Sequence, residues 1–580
     1  VKGLASSLAL IWRLAVPYFR SEDRRAGILL LAAVISIELT IVAITVLLNR
    51  WNARFYDALQ NRDWDSFVAE LLYFSLLAGA FIVLAVYQLY LRQWLQIRWR
   101  AWMTRAYLGD WLDGANHYRM QLLGDAADNP DQRIADDIRL FVDNGLFIAL
   151  RLLGAVVSFF SFVVILWTLS AEAPFHLFGV EIAIPGYLVW AALLYAVAGT
   201  ALTHWIGSPL IALNFRQQRY EADFRFDLVR TRENAEQVAL LSGERAEVHR
   251  LLDRFARVME NWWAIMTRTK RLTFLTAGYA QAAVVFPFIV VSPAYFAGRV
   301  QLGGLMQTAS AFGSVQEALS VIITVYRDIA EWRAVIDRLS GFNRAMAAGR
   351  TAATAEPSVK MRTCPHRDAI GLEGLVVSLP SGAPVVAADD VVFGPGERVL
   401  VTGPSGSGKS TLFRAIAGIW PFGRGAVDRP ADGKVMMLPQ RPYFPIGSLH
   451  AAIAYPSLPE RFGRDAVAEV VAAVGLPGLA ARLAEEAHWN RLLSLGEQQR
   501  LAIARAILHA PRHLFLDEAT ASLDEPSEAV LYRLIDERLP SVTMVSIGHR
   551  STLVRFHRRG FALERDGDFH RLREREMAAP

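Results

Sequence analysis

Six apolar runs of about twenty residues occupy the N-terminal half of the chain and restrict that half to helices crossing a membrane. They lie at roughly Ala26–Leu48, Leu71–Leu91, Leu152–Leu169, Ile182–Leu202, Leu272–Phe296 and Gly303–Tyr326. Hydrocarbon offers no water to free N–H and C=O groups, so such a run crosses as a helix whose backbone bonds to itself. The third run is short and extends backward through Gly145–Ala149, with Arg151 facing protein or water. The sixth contains Glu317 and several small residues, so a helix buried in protein is its competing reading.

The basic residues test this count. Arg13, Arg20, Arg24 and Arg25 precede the first run. The connection 92–151 holds Arg92, Arg98, Arg100, Arg105, Arg119, Arg133, Arg139 and Arg151, and the segment 203–271 holds twelve basic residues. The loop 49–70 sets three arginines against four acids, the connection 170–181 has no lysine or arginine, and the turn 297–302 has only Arg299. Basic residues alternate between sides, which places both termini and the two long connections in the cytoplasm. Those connections, at 92–145 and 208–271, space charges between apolar residues as helices do. They read as extensions of the spans that present a turn to a cytosolic domain, or as solvated helices.

The net charge of +5 raises the question of nucleic acid, but the excess arginine sits beside the apolar runs, so topology explains it and no nucleic-acid partner is expected. Cys364 is the single cysteine, which excludes an intrachain disulfide and a cysteine metal cluster. No small-residue cleavage pattern follows the first run, so it does not read as a signal peptide.

After Tyr326 an amphipathic stretch, Asp328–Leu339, leads into small and polar residues. From Ile370 short apolar runs alternate with Gly/Pro turns and helical segments, the pattern of an α/β domain. The expected fold is an α-helical six-span transmembrane domain over 1–345, a linker over 346–368, and an α/β P-loop domain over 369–580 that ends in an arginine-rich helix.

The segment Gly403, Pro404, Ser405, Gly406, Ser407, Gly408, Lys409, Ser410, followed by Thr411, matches the phosphate-binding loop in full. It sits between a β-like run, Arg398–Thr402, and a helix-like run, Leu412–Ile419. Its glycines let the backbone curl N–H groups around phosphate, and the helix start adds to the anion site. Lys409 is placed for the β- and γ-phosphates and Ser410 for Mg²⁺. Leu514–Leu516 followed by Asp517 and Glu518 is an apolar strand ending in two acids. Asp517 suits the Mg²⁺ shell and Glu518 suits polarising the attacking water.

With these residues in place, the segment Leu493-Ser494-Leu495-Gly496-Glu497-Gln498-Gln499-Arg500 resembles the signature of ATP-binding cassette (ABC) ATPases, departing at Leu495, where glycine is usual. Gln440 is similar to the Q-loop glutamine, Ser522-Leu523-Asp524 to the D-loop, and His549 to the switch histidine. The resemblance implies ATP and Mg²⁺ as ligands, with Gln440 also near the metal. It implies a head-to-tail pair of cassettes. Ser494, Gly496, Glu497 and Asp524 of one copy then serve the nucleotide held by the other, and His549 contacts the γ-phosphate from the Lys409 side. One chain carries one set, so a homodimer is implied. Leu379 lies near the place where the family stacks adenine on an aromatic ring.

In the membrane half, Asn49–Gln60, Asp128–Ile134, Ala222–Arg230 with Arg232–Glu236, and Ala330–Ala334 resemble the ABC branch of peroxisomal fatty-acyl transporters and bacterial SbmA/BacA-like proteins. The bacterial members with a fused ATPase imply uptake of peptides and other hydrophilic solutes, such as antimicrobial peptides or cobalamin, across the inner membrane. Export of lipid or drug, or transport of fatty acyl-CoA, remains as the alternative. Glu38 and Glu317 lie inside apolar runs, where an acid is costly unless it meets a cavity or a partner. Each either lines a solute path or bonds another helix. Asp128, Arg133, Glu233 and Glu236 read as helix-contact and coupling residues, or as a solvated face. With leucine in place of an aromatic ring at Leu379, base selectivity is expected to be weak: ATP and GTP turnover by the purified protein should agree within about fivefold, the difference left by a single missing ring contact.

Overall fold

Leucine, alanine and valine fill the first helices, and the chain stays helical well past the hydrocarbon. The computed structural model describes residues 2–124, 129–172, 175–177, 180–182, 184–364, 368–431 and 434–576, and Asp128 falls outside them. The helices are α1 (Lys2–Phe19), α2 (Arg24–Asn61), α3 (Trp64–Leu112), α4 (Asn116–Leu122), α5 (Pro130–Gln132) and α6 (Ile138–Glu172). A short antiparallel hairpin, β1 (Phe175–Leu177) and β2 (Val180–Ile182), precedes α7 (Tyr187–Glu233), α8 (Ala235–Leu240), α9 (Glu244–Phe296) and α10 (Leu302–Ala352).

Six of these helices, α2, α3, α6, α7, α9 and α10, carry the six apolar runs. The first five are long and apolar enough to cross a membrane among the described residues. The sixth, α10, is 51 residues long. The helix α2 stops at Arg62, whose left-handed backbone (φ 57°) turns its N–H onto the carbonyls of Ala58 and Leu59.

The chain divides into two compact units, residues 1–106 with 131–340, and residues 107–130 with 341–580. In the first unit, the segments that carried the branch resemblance are contact points between helices. Asp57 and Gln60 at the end of α2 accept the N–H groups of Gly303 (2.8 Å) and Leu302 (2.6 Å), capping α10 from outside its own sequence. Asn49 donates to the Gln307 carbonyl at 3.0 Å. Trp332 donates its indole N–H to the Phe141 carbonyl at 2.9 Å and stacks on the Phe141 ring. Gly145 leaves room for that indole, since a Cβ there would lie 3.0 Å from the ring. Asp227 receives Arg254 at 3.1 Å, tying α7 to α9. Asp137, almost fully buried, accepts Arg133 from its own turn and both Nε (2.9 Å) and Nη2 (2.6 Å) of Arg338 on α10. The two guanidinium groups outweigh burial and hold its carboxyl below the usual range.

In the second unit α4 packs onto the ATPase domain. Asn116 donates to the Met346 carbonyl (3.1 Å) and Arg119 to that of Gly349 (3.0 Å), while Tyr118 and Leu122 lie against the domain's apolar core. The turn between the two helical arms of the first long connection is thus docked rather than solvated. The expected linker over 346–368 also has structure. Residues to Ala352 continue α10, and Lys360–Cys364 form a strand, β3, paired with the domain's sheet.

That sheet adds β4 (Ile370–Ser378), β5 (Pro384–Ala388), β6 (Val391–Phe393), β7 (Arg398–Thr402), β8 (Gly423–Pro430) and β9 (Val435–Leu438). The helix α11 (Lys409–Ile416) follows β7. A helical region follows β9, with β10 (Gly447–Ser448), α12 (Leu449–Ala454), α13 (Arg464–Ala473), α14 (Pro477–Ala480), β11 (Glu486–Ala487), α15 (Trp489–Leu492) and α16 (Leu495–His509). The chain returns through β12 (His513–Asp517), α17 (Glu525–Arg538), β13 (Thr543–Ile547), β14 (Arg559–Asp566) and β15 (Phe569–Arg575). The order across the sheet is β3-β8-β4-β5-β15-β14-β7-β13-β12-β9, with β6 beside β4. The arginine-rich C-terminal segment is therefore a strand and not the expected helix. Its basic residues alternate along β15, which pairs antiparallel with β14. Phe413 and Phe515 meet edge to face at 5.1 Å in the core, each fully buried and each worth about 2–3 kcal/mol.

Removing the acid that two arginines share leaves both charges without it. The substitution Asp137→Ala is expected to cost about 2–3 kcal/mol, because Arg338 keeps part of its hydration. Thermal unfolding in nanodiscs should show the loss, and Arg338→Ala alone should cost less.

Candidate functional site

The strands β7, β13, β12 and β9 run parallel, pairing Val401 with Ile547, Ile547 with Asp517, and Leu516 with Leu438. Their carboxyl ends reach one edge together, the place where open α/β sheets bind ligands. Each end delivers one functional segment: residues 403–410 after β7, Gln440 after β9, Asp517 and Glu518 after β12, and His549 after β13.

The phosphate loop owes its shape to glycine. Gly403 (φ 153°), Gly406 (φ 78°) and Gly408 (φ 89°) adopt backbone angles that side chains disfavour. A Cβ on Gly408 would also lie 2.6 Å from Val385 Cγ1. Gly408 caps α11, so the helix N-terminus faces the loop. Lys409 is buried and donates to the carbonyls of Gly403 (2.9 Å) and Pro404 (2.8 Å) across the loop. Burial pulls its pKa down, against the pull of Glu518 and Asp517. Ser407 is buried, and its hydroxyl has no hydrogen-bond partner among the described residues, as fits a group awaiting an acceptor. Pro404, Ser405 and Gly406 are exposed and Thr411 is half-buried.

The Ser410 hydroxyl donates to Asp517 Oδ1 at 3.0 Å. Burial raises the Asp517 pKa, and the Ser410 bond opposes it. A hydroxyl and a carboxylate at this separation make an oxygen donor pair that suits a hard divalent cation. The Glu518 carboxylate is gripped from two sides: Gln440 Nε2 donates to Oε2 at 3.0 Å, and His549 Nε2 lies 3.3 Å from Oε1. Glu518 itself has φ 50°, a left-handed backbone that turns the chain sharply at the strand end. A cavity of about 90 Å³ opens beside Glu518, His549 and Arg550.

The structure brings Lys409, Ser410, Gln440, Asp517, Glu518 and His549 together. It keeps Ser494, Gly496 and Glu497 in a separate cluster. Ser494 caps α16 through a reciprocal box with Glu497, and among the described residues its hydroxyl bonds only within that box. Asp524 is exposed at the start of α17. Leu379 sits in the turn between β4 and β5, partly exposed. Val385, against the phosphate loop, was not anticipated. Neither was Gln499, which is fully buried and donates to the Gln440 carbonyl (3.1 Å) while accepting the Ser522 N–H (3.0 Å). One amide thereby joins the Q-loop, the signature helix and the D-loop. Arg550 does similar work, donating to the carbonyls of Leu523 and Ala521. The nearest sequence signal was the second glutamine of the signature; Arg550 and Val385 left none.

Comparison with known proteins agrees with this construction. Residues 14–296 match the family of ABC transporter transmembrane region 2, and residues 389–521 match the ABC transporter ATPase family. The inner membrane ABC transporter ATP-binding protein YddA of Escherichia coli is 34% identical over 92% of this chain and 93% of its own length. The chloroplastic ABC transporter D family member 2 of Arabidopsis thaliana is 33% identical over 95% of this chain and 86% of its own. This chain is an ABC transporter of the D family. It is an ATP-hydrolysing, multi-pass bacterial inner-membrane protein with its ATPase domain in the cytoplasm. The human lysosomal cobalamin transporter ABCD4 is 26% identical over 87% of this chain and 86% of its own length. A bacterial Atm1-family ABC exporter with ATP bound shares the fold, with a TM-score of 0.70 at 18% identity over 95% of this chain and 94% of the other.

The substitution Glu518→Gln in this D-family transporter keeps the shape of the side chain and its contacts with Gln440 and His549. It is expected to slow ATP hydrolysis at least about a hundredfold while leaving ATP binding within about twofold. Phosphate release and equilibrium nucleotide binding measured on one preparation check both halves.

Proposed function

We propose that this transporter works as a homodimer that imports peptides and other hydrophilic solutes, antimicrobial peptides among them, into the cytoplasm. The observation that carries the dimer is the division of the site. The phosphate loop, Gln440, Glu518 and His549 converge within one chain, while Ser494 is engaged only with Glu497. A second copy placed head to tail supplies Ser494 and Gly496 to the γ-phosphate, with Glu497 and Asp524 flanking it. Lys409 and the loop N–H groups bind the β- and γ-phosphates, Thr411 continues the α11 end of that cradle, and Leu379 with Val385 offers apolar contact to the base.

Ser410, Asp517 and Gln440 would hold Mg²⁺, which when bound neutralises phosphate oxygens. Glu518 accepts a hydrogen bond from Gln440, and His549 Nε2 stands 3.3 Å from its other oxygen. Released from Gln440 and His549, its carboxylate would orient water and take a proton. Loss of the γ-phosphate then removes what both copies grip, and the cassettes separate. The docked α4 and the buried Gln499 are the routes by which that separation reaches other segments of the second unit. Hydrophilic cargo is supported by the relative named as a cobalamin transporter.

Sealed proteoliposomes with inward-facing ATPase domains and ATP in the lumen test the direction. Labelled cationic peptide or cobalamin is expected to accumulate inside several-fold over an ADP control, and Ser494→Ala should abolish the accumulation. Movement of lipid or drug outward, with no peptide uptake, would overturn the proposal.

A further inference from the structure

The helices α7 and α9 hold each other at two levels. Inside the span the rings of Tyr195 and Tyr279 stack at 4.4 Å, and each hydroxyl donates to the main-chain carbonyl of the other residue (2.6 and 3.0 Å). On the cytoplasmic side the buried Asn261 donates to the Leu213 carbonyl (2.9 Å) and to Gln217 Oε1 (2.8 Å). Between these levels Pro209 interrupts the hydrogen-bond ladder of α7. A cavity of about 540 Å³ opens beside it, lined by Pro209, Leu213 and Arg216 of α7 and by Trp263, Thr267 and Arg268 of α9. Its apolar wall thus carries two guanidinium groups.

The cavity lies at the cytoplasmic surface of the membrane. The apolar run of α7 ends at Leu202 and that of α9 begins at Leu272. Arg268 precedes the α9 run by four residues, which sets its backbone about 6 Å outside the hydrocarbon, at headgroup depth. Trp205, Trp262 and Trp263 are exposed around it, and such amphipathic rings favour that layer. Residues 203–220 and 261–275 carry Arg216, Arg219, Arg268, Lys270 and Arg271 and no acid. None of these five side chains makes a hydrogen bond or ion pair among the described residues. Farther along the same two helices the arginines are paired, Arg254 with Asp227 and Arg250 with Glu247. We propose that the cavity binds the phosphate headgroup of an anionic phospholipid of the cytoplasmic leaflet, held between Arg216 and Arg268. A guanidinium meets a phosphate with two parallel N–H bonds, and the apolar wall with the Trp263 ring receives the glycerol and the first acyl methylenes. A zwitterionic headgroup brings its own cation and gains less from the two arginines.

Thermal unfolding of the purified full-length protein in detergent tests this, with phosphatidylglycerol, phosphatidylcholine and water-soluble glycerol phosphate as the probes. Phosphatidylglycerol should raise the unfolding temperature, and the other two should leave it unchanged. The double variant R216Q/R268Q should need at least about tenfold more phosphatidylglycerol for half the rise, through the loss of two charge-assisted contacts. Ala212 also lines the cavity, so A212F, which narrows it and keeps both arginines, should weaken the response to a similar degree. That variant carries the test if the arginine pair proves necessary for folding. K270Q/R271Q changes the charge equally but outside the cavity lining, and should stay within about twofold of wild type. An equal loss in both charge variants would overturn the cavity in favour of diffuse attraction to the membrane. An equal rise with glycerol phosphate would overturn lipid as the ligand. Unfolding that depends on protein concentration and not on phosphatidylglycerol would assign the cavity to a second copy and overturn the proposal. The readout involves no transport, so failure of peptide import in vesicles leaves it standing.

Discussion

The parallel pairing of β12 with β9 and β13 is the constraint on which the ATPase domain depends. It sets Leu438 opposite Leu516 and Asp517 opposite Ile547, so Gln440, Glu518 and His549 leave the sheet at the same edge. A register slip of one residue in β12 would turn Asp517 away from Ser410 and carry Leu514 and Leu516 off the face that packs in the second apolar cluster. The core and the catalytic geometry are therefore set by the same hydrogen-bonded ladder. The phosphate loop joins them because β7 pairs with β13 in the same sense.

In the membrane unit the corresponding constraint is the satisfaction of polar groups away from water. The end of α2 caps the start of α10, Asn49 and Trp332 bond to main-chain carbonyls of neighbouring helices, and Asp137 binds two arginines. These groups are costly when left alone and are paired here, which fixes each helix against a specific neighbour. One unpaired group in the ATPase domain bears on function. Ser407 in the phosphate loop has no hydrogen-bond partner among the described residues and sits where phosphate is expected.

Much of this was legible beforehand. The phosphate loop, the acids after Leu516 and the apolar runs are local patterns, and local patterns survive in a sequence because glycine conformation, helix length and strand period act over a few residues. The arginine-rich C-terminus misled because charge says little about period. Its alternation becomes decisive only when β14 and β5 supply partners for β15. The stretch 346–368 looked like linker because small residues dominate it, yet β3 gains its ladder from β8, far along the chain. The bonds of Gln499 to Gln440 and Ser522 were invisible for the same reason: they join residues 59 and 23 positions apart.

By itself the sequence determined that the chain spans a membrane repeatedly and holds ATP on a phosphate loop, since both follow from runs of fewer than about twenty-five residues. It also named the two intramembrane acids without separating them. Only the tertiary structure decided that Glu38 is a contact between helices, because a carboxylate's role depends on what stands opposite it. Gln88 and Gly154 meet Glu38.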